Sequence, residues 1–170
     1  LELTGNLGDV MKESVHAAMS YIRSRCARFG IDRDFYKTKD IHVHFPEGAV
    51  PKDGPSAGIA VCTAMISALS GATVSAEIAM TGEISIRGRV LPIGGLKEKT
   101  MAALRAGIKT VIIPKDNEKD LTEIDQTVRR SLNFILADHV DKVIDVALTI
   151  PAGSSEEETK KRNAYPVAQD

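Results

Sequence analysis

The sequence predicts a mixed α/β domain, with helices packed on a sheet of short strands. Three observations carry this. Short apolar runs alternate with longer stretches of helical periodicity. A hairpin signal around Arg87-Gly88 interrupts that alternation, which excludes a purely parallel, doubly wound order. Of the 170 residues, 43% are apolar and 26% charged, enough for one domain with a real core.

In chain order, Leu1–Thr4 alternates as a short strand and Gly5-Asn6 turns it. Asp9 is placed to cap a helix running to about Phe29, with Val15, Ala18, Ile22 and Cys26 on its apolar face and Gly30 as its stop. Arg23, Arg25 and Arg28 read as a solvated face of that helix. Ile31–Asp40 is a charged connector. Ile41–Phe45 alternates strictly, with His42 and His44 on one side. Two histidines without a third ligand read as a polar strand face rather than a metal site. Pro46–Pro55 is a long loop restrained by three prolines.

From Gly54 to Ala76 there is no charged residue. This reads as a buried helix up to Gly71, too short to span a bilayer. Ile78–Met80, Ile84–Ile86 and Val90–Ile93 are short strands, the last two forming the hairpin, with Pro92 at an edge. Gly94-Gly95 launches a helix over Leu96–Ala106. Thr110–Ile113 is a strand stopped by Pro114. Asn117 caps a short helix or turn near Asp120-Leu121. Asn133–Leu136 is a strand and His139–Leu148 a final amphipathic helix. After Pro151 the chain is polar and aperiodic, as a disordered tail is.

The net charge of −1 argues against nucleic-acid or membrane binding. Cys26 and Cys62 sit within apolar patterns as small core residues, which suits a reducing compartment. No signal peptide is visible. The chain opens at Leu1 without a methionine, as a piece excised from a longer protein would.

Two helix starts carry the candidate chemistry. Gly54-Pro55-Ser56-Ala57-Gly58 puts a serine where unpaired N–H groups and the positive dipole end converge. There is no Walker loop and no Gly-x-Gly-x-x-Gly. A phosphate loop of the kind some small-molecule kinases use remains one reading. Ser56 as a plain N-cap is another, although Ile59 stands where a capping box wants Glu or Gln. Ser56 as a nucleophile is a third, and it needs a base. Neither His42 nor His44 is aimed at it by spacing. In the helix from Leu96, Lys97 and Lys99 lie in the first turn, where the dipole disfavours a cation. Lys99 falls between Ala103 and Ala106 on the small-residue face and is the one expected to be buried. Both lysines as surface charges is the bland alternative.

Two long blocks resemble the Lon protease family: Pro51-Lys52-Asp53-Gly54-Pro55-Ser56-Ala57-Gly58, and Thr81-Gly82-Glu83-Ile84 with Arg87 through Lys99. Leu1–Gly8 and Met11–Ser14 are similar to the start of that family's proteolytic domain. The resemblance covers about residues 1–150, with 151–170 as a separate tail. It implies the family's compact mixed α/β fold, related to a ribosomal-protein-like superfold that small-molecule kinases share. It implies a Ser–Lys dyad of Ser56 and Lys99, with Thr81 holding the lysine amine and Asp53, Gly54 and Pro55 shaping the site. Backbone N–H groups at the helix start would form the oxyanion hole, and Asp53 would pair with Lys99 in an inactive arrangement. The implied activity is ATP-dependent serine endopeptidase action on unfolded protein. The implied assembly is a homo-hexamer served by an N-terminal ATPase module in the same chain. ATP and Mg would belong to that module, with no cofactor in this domain. The implied location is a bacterial-type cytoplasm, a mitochondrial origin being the alternative.

Overall fold

The computed structural model describes residues 1–149. The tail expected over 151–170 lies outside the described residues. The elements are β1 (Glu2–Thr4), α1 (Asp9–Arg25), α2 (Phe35–Thr38), β2 (His42–His44), α3 (Gly58–Ser70), β3 (Thr73–Val74), β4 (Ile78–Met80), β5 (Glu83–Ile84), β6 (Val90–Leu91), α4 (Leu96–Arg105), β7 (Thr110–Pro114), α5 (Gln126–Ser131), β8 (Asn133–Ala137), α6 (Val140–Ala147) and β9 (Leu148–Thr149). Cys26–Phe29 and Lys115–Glu123 are 3₁₀ turns.

The sheet expected to be mixed is divided among small sheets. β4, β7 and β8 form a parallel sheet in the order β4-β7-β8. β1 and β2 pair in parallel, while β5–β6 and β3–β9 pair antiparallel. The parallel sheet is covered on both faces, which is why its strands read as continuous apolar runs. Ile112 and Ala137 face a core built with α1, α3 and α6. Val111 and Ile113 face a second core under α4 and α5. α3 carries no charge because its Ile59, Val61, Cys62, Met65 and Ile66 are all buried. Burial pushes the Cys62 thiol well above its ordinary range. Native protein at neutral pH is therefore expected to leave Cys62 unlabelled by iodoacetamide, with labelling only after denaturation. No helix among the described residues is long and apolar enough to cross a membrane.

Several local expectations are revised. Asp9 is the first residue of α1, not its cap; Gly8 holds the cap position and offers no side chain. The connector after Gly30 contains α2, anchored by the fully buried Phe35. The arginines of α1 and of the 3₁₀ turn that follows it are engaged. Arg25 pairs with Asp141 at 2.6 Å, Arg28 with Asp145 at 2.9 Å, and Arg23 lies 4.0 Å above the Tyr36 ring. His42 Nε2 and His44 Nδ1 each lie 2.7 Å from Thr4 Oγ1. The hairpin strand expected to reach Ile86 ends at Ile84, and Ile86 is 64% exposed.

Asn117 does not cap a helix. It is 2% exposed, and its amide accepts from Ile93 N–H at 3.0 Å and donates to Ile93 C=O at 2.9 Å. It thus stands in for a strand partner just before α4. Asn117→Ala strands two backbone groups and is expected to cost about 1–3 kcal/mol in chemical denaturation. An unchanged midpoint would contradict this.

Candidate active site

Ser56 sits in the turn that enters α3. Gly58 N–H donates to Pro55 C=O at 3.0 Å and closes the turn. Ala57 holds the N-cap position of α3, and no side chain caps that end. The reading of Ser56 as a plain cap therefore fails. Its side chain is left for other uses, and it is partly exposed.

The backbone of this turn is clamped to the segment before β5. Gly82 N–H donates to Ser56 C=O at 2.9 Å, and Ile59 N–H donates to Gly82 C=O at 3.1 Å. Such a close approach needs Gly58. A Cβ there would lie 2.8 Å from Ile84 Cγ2 and 2.9 Å from Ile84 N. Gly58→Ala must push α3 away from β5, so it is expected to cost about 1–3 kcal/mol of stability and to move the serine. Loss of activity with an unchanged unfolding midpoint would contradict the steric account. The clamp also uses up the Ser56 carbonyl and the Ile59 N–H. The N–H groups of Ser56 and Ala57 donate to nothing among the described residues.

Thr81 is buried, and its hydroxyl donates to Ser56 C=O at 3.2 Å. It was expected to hold the lysine amine; here it holds the serine backbone. Thr81→Val removes this bond but leaves the Gly82 bond, so a loss of about 1 kcal/mol is expected, checked by thermal unfolding.

Lys99 comes from the first turn of α4, which begins after Gly95 (φ 70°). The buried face of α4 is Leu96, Thr100 and Ala103. Lys99 borders that face rather than lying in it, and it is exposed, contrary to the burial expected from its alanine neighbours. The alanines do leave space, but the space opens to solvent. It is a cavity of about 240 Å³ lined by Ser56, Thr81, Lys99 and the small or apolar Ala57, Ala60, Ala79, Met80, Ala103 and Val111. Lys97 lines a different cleft, with Glu98, Asp120 and Glu123. Only Lys99 of the two shares a cavity with Ser56. No hydrogen bond joins the two side chains, which line one cavity together with the small and apolar residues named above.

Asp53 is turned away from Lys99. Its Oδ1 accepts from Met11 N–H at 3.0 Å and from Gly54 N–H at 2.8 Å. The carboxylate lies on the first turn of α1, where the helix dipole favours an anion. Gly54 (φ 113°) and Pro55 then reverse the chain into Ser56. The cavity walls Ala60, Ala79, Met80 and Val111 were not foreseen as site residues. Their only signal is small or apolar character, which core residues share.

Residues 1–150 match the family model for the Lon protease (S16) C-terminal proteolytic domain. The chain is similar to a Lon protease of Brevibacillus choshinensis, 62% identical over 149 residues, which is 88% of this chain and 19% of that protein. It is 62% identical over 148 residues to Lon protease 1 of Bacillus subtilis, covering 87% of this chain and 19% of that protein. Over 161 residues it is 61% identical to a Lon protease of Vibrio parahaemolyticus, 95% of this chain and 21% of that protein. The chain thus spans about a fifth of the length of these relatives.

Proposed function

We propose, because this chain belongs to the Lon protease (S16) family, that it hydrolyses peptide bonds with Ser56 as nucleophile and Lys99 as general base. The observation that carries this is the shared cavity, which gathers Ser56, Thr81 and Lys99, with Lys99 the one ionisable side chain among the described residues that line it.

A serine hydroxyl attacks only when its proton is taken as the bond forms. Lys99 takes that proton as a free amine. Lysine in water is an ammonium up to roughly pH 10, so the base form has to be favoured by the site. An extended substrate lying over the cavity would cover Lys99 and replace water with alanine, methionine and valine surface. Burial of that kind disfavours the ammonium. Ser56 Oγ then attacks the peptide carbonyl. The Ser56 and Ala57 N–H groups, without acceptors among the described residues, are available to the developing oxyanion. The lysine ammonium returns the proton to the leaving amine. A water activated by the same amine releases the acyl group from Ser56.

Unfolded protein is the proposed substrate, because the scissile carbonyl must come down onto Ser56 in the wall of a cavity, which an extended chain allows more readily than a folded surface. Assembly into a six-membered ring, and unfolding by an ATP- and Mg-dependent module in the same polypeptide, extend this reading to the whole protein. The kinase-like reading of the Gly54–Gly58 loop finds no support in the matches to Lon proteases and is set aside. The test is hydrolysis of an unstructured fluorogenic peptide by this chain and by Ser56→Ala. Equal turnover by both would sink the proposal.

A further inference from the structure

We propose that Gly8 is a positioning residue for the nucleophile, because its missing side chain lets Asp53 tie the Ser56 loop to the start of α1. The two segments are distant in sequence and are stitched together along their backbones. Lys52 N–H donates to Asn6 C=O at 3.0 Å, and Gly8 N–H donates to Lys52 C=O at 2.7 Å. The next residue, Asp53, then reaches over Gly8. It binds Met11 N–H, an N–H in the first turn of α1 that a local cap would otherwise satisfy. Gly8 cannot cap, so the cap comes from a residue forty-two positions downstream.

The contact is tight. A Cβ on Gly8 would lie 2.2 Å from Asp53 Cγ and 2.4 Å from Asp53 Oδ2. The Gly8 backbone is extended (φ −71°, ψ 169°), so alanine is conformationally acceptable there. Gly8→Ala therefore strains nothing in its own backbone and acts on Asp53, evicting its carboxylate and pushing back its Cβ, which would lie 2.7 Å away. Asp53 also receives Gly54 N–H, and Ser56 follows two residues later, in a turn with no side-chain cap of its own. Eviction thus removes the tie that holds this side of the serine turn, while the Gly82 clamp holds the other.

The kinetic test rests on the Ser56 reading; a second readout does not. In Gly8→Ala, cooperative unfolding is expected to survive, and amide exchange protection at Met11 is expected to be lost. The kcat for an unstructured fluorogenic peptide should fall about 10-fold or more with KM little changed, since small misplacements of a reacting group are costly. A Cβ on Gly8 would also lie 2.7 Å from Asp53 Cβ, which alanine at 53 keeps, so the double variant is made with glycine: Gly8→Ala/Asp53→Gly should be no slower than Asp53→Gly alone, because both remove one contact. Asp53→Asn keeps the acceptor oxygen and should retain more of kcat than Asp53→Ala. Wild-type kcat in Gly8→Ala, penalties that multiply in the double variant, or equal losses in Asp53→Asn and Asp53→Ala would each overturn the proposal. If the wild type hydrolyses nothing, the dyad falls instead, and retained Met11 protection in Gly8→Ala would still overturn this inference.

Discussion

Ser56→Ala is expected to lower turnover of an unstructured peptide by on the order of 10⁴-fold or more, the scale on which removing a nucleophile acts in serine peptidases. The same substitution should leave stability within about 0.5 kcal/mol. That second expectation separates the catalytic reading from the structural one. A capping serine replaced by alanine costs about 1 kcal/mol. Ser56 caps nothing: Ala57 holds the cap position, and the first-turn N–H of Ile59 goes to Gly82 instead. Among the described residues the Ser56 hydroxyl makes no hydrogen bond that alanine would break; its carbonyl does the holding, and alanine keeps the carbonyl. A variant that loses activity together with stability would return Ser56 to a structural role. Stopped hydrolysis with an unmoved unfolding midpoint is the expected pattern.

Lys99→Met is expected to have a comparable effect on turnover. Methionine keeps much of the length and apolar stem while removing the amine, so the cavity stays lined and the base is lost. Lys99→Arg should not restore activity, because a guanidinium does not give up its proton in the accessible pH range. Lys97→Met serves as the internal control. Lys97 lies in the neighbouring cleft with Glu98 and Asp120, and its loss should leave turnover near wild type. Activity retained in Lys99→Met would remove the base from the mechanism even if Ser56 remained essential.

Much of the architecture is legible in the residue pattern because its signals are local. The uncharged run from Gly54 to Ala76 marks α3, buried against α1 and the sheets. Gly94-Gly95 marks the start of α4, and Arg87-Gly88 marks the hairpin of β5 and β6. The two-residue strands β3 and β9 escape notice, since two residues carry no periodicity. Phe35 hides within a charged connector, where one buried ring anchors four helical residues.

In the candidate site, the misread points are those where a distant group decides the outcome. Asp9 looks like the cap of α1, but Asp53 takes that place across forty-two residues. Asp53 and Thr81 both look like partners of the lysine. In the structure one holds α1 and the other holds the Ser56 carbonyl. Lys99 lies on a small-residue face as its spacing suggests, yet small side chains around a long one leave an open cavity rather than a packed pocket. Helical phase places a residue on a face; whether a second element covers that face is a tertiary matter.

The most direct test of the dyad is covalent capture. A peptidyl boronate places an electrophilic boron where the peptide carbonyl would sit, and a serine nucleophile converts it to a tetrahedral adduct. Native mass spectrometry of this chain with such a boronate is expected to show one adduct per chain, absent in Ser56→Ala. An adduct that persists undiminished in Ser56→Ala would put the nucleophile elsewhere and contradict the account.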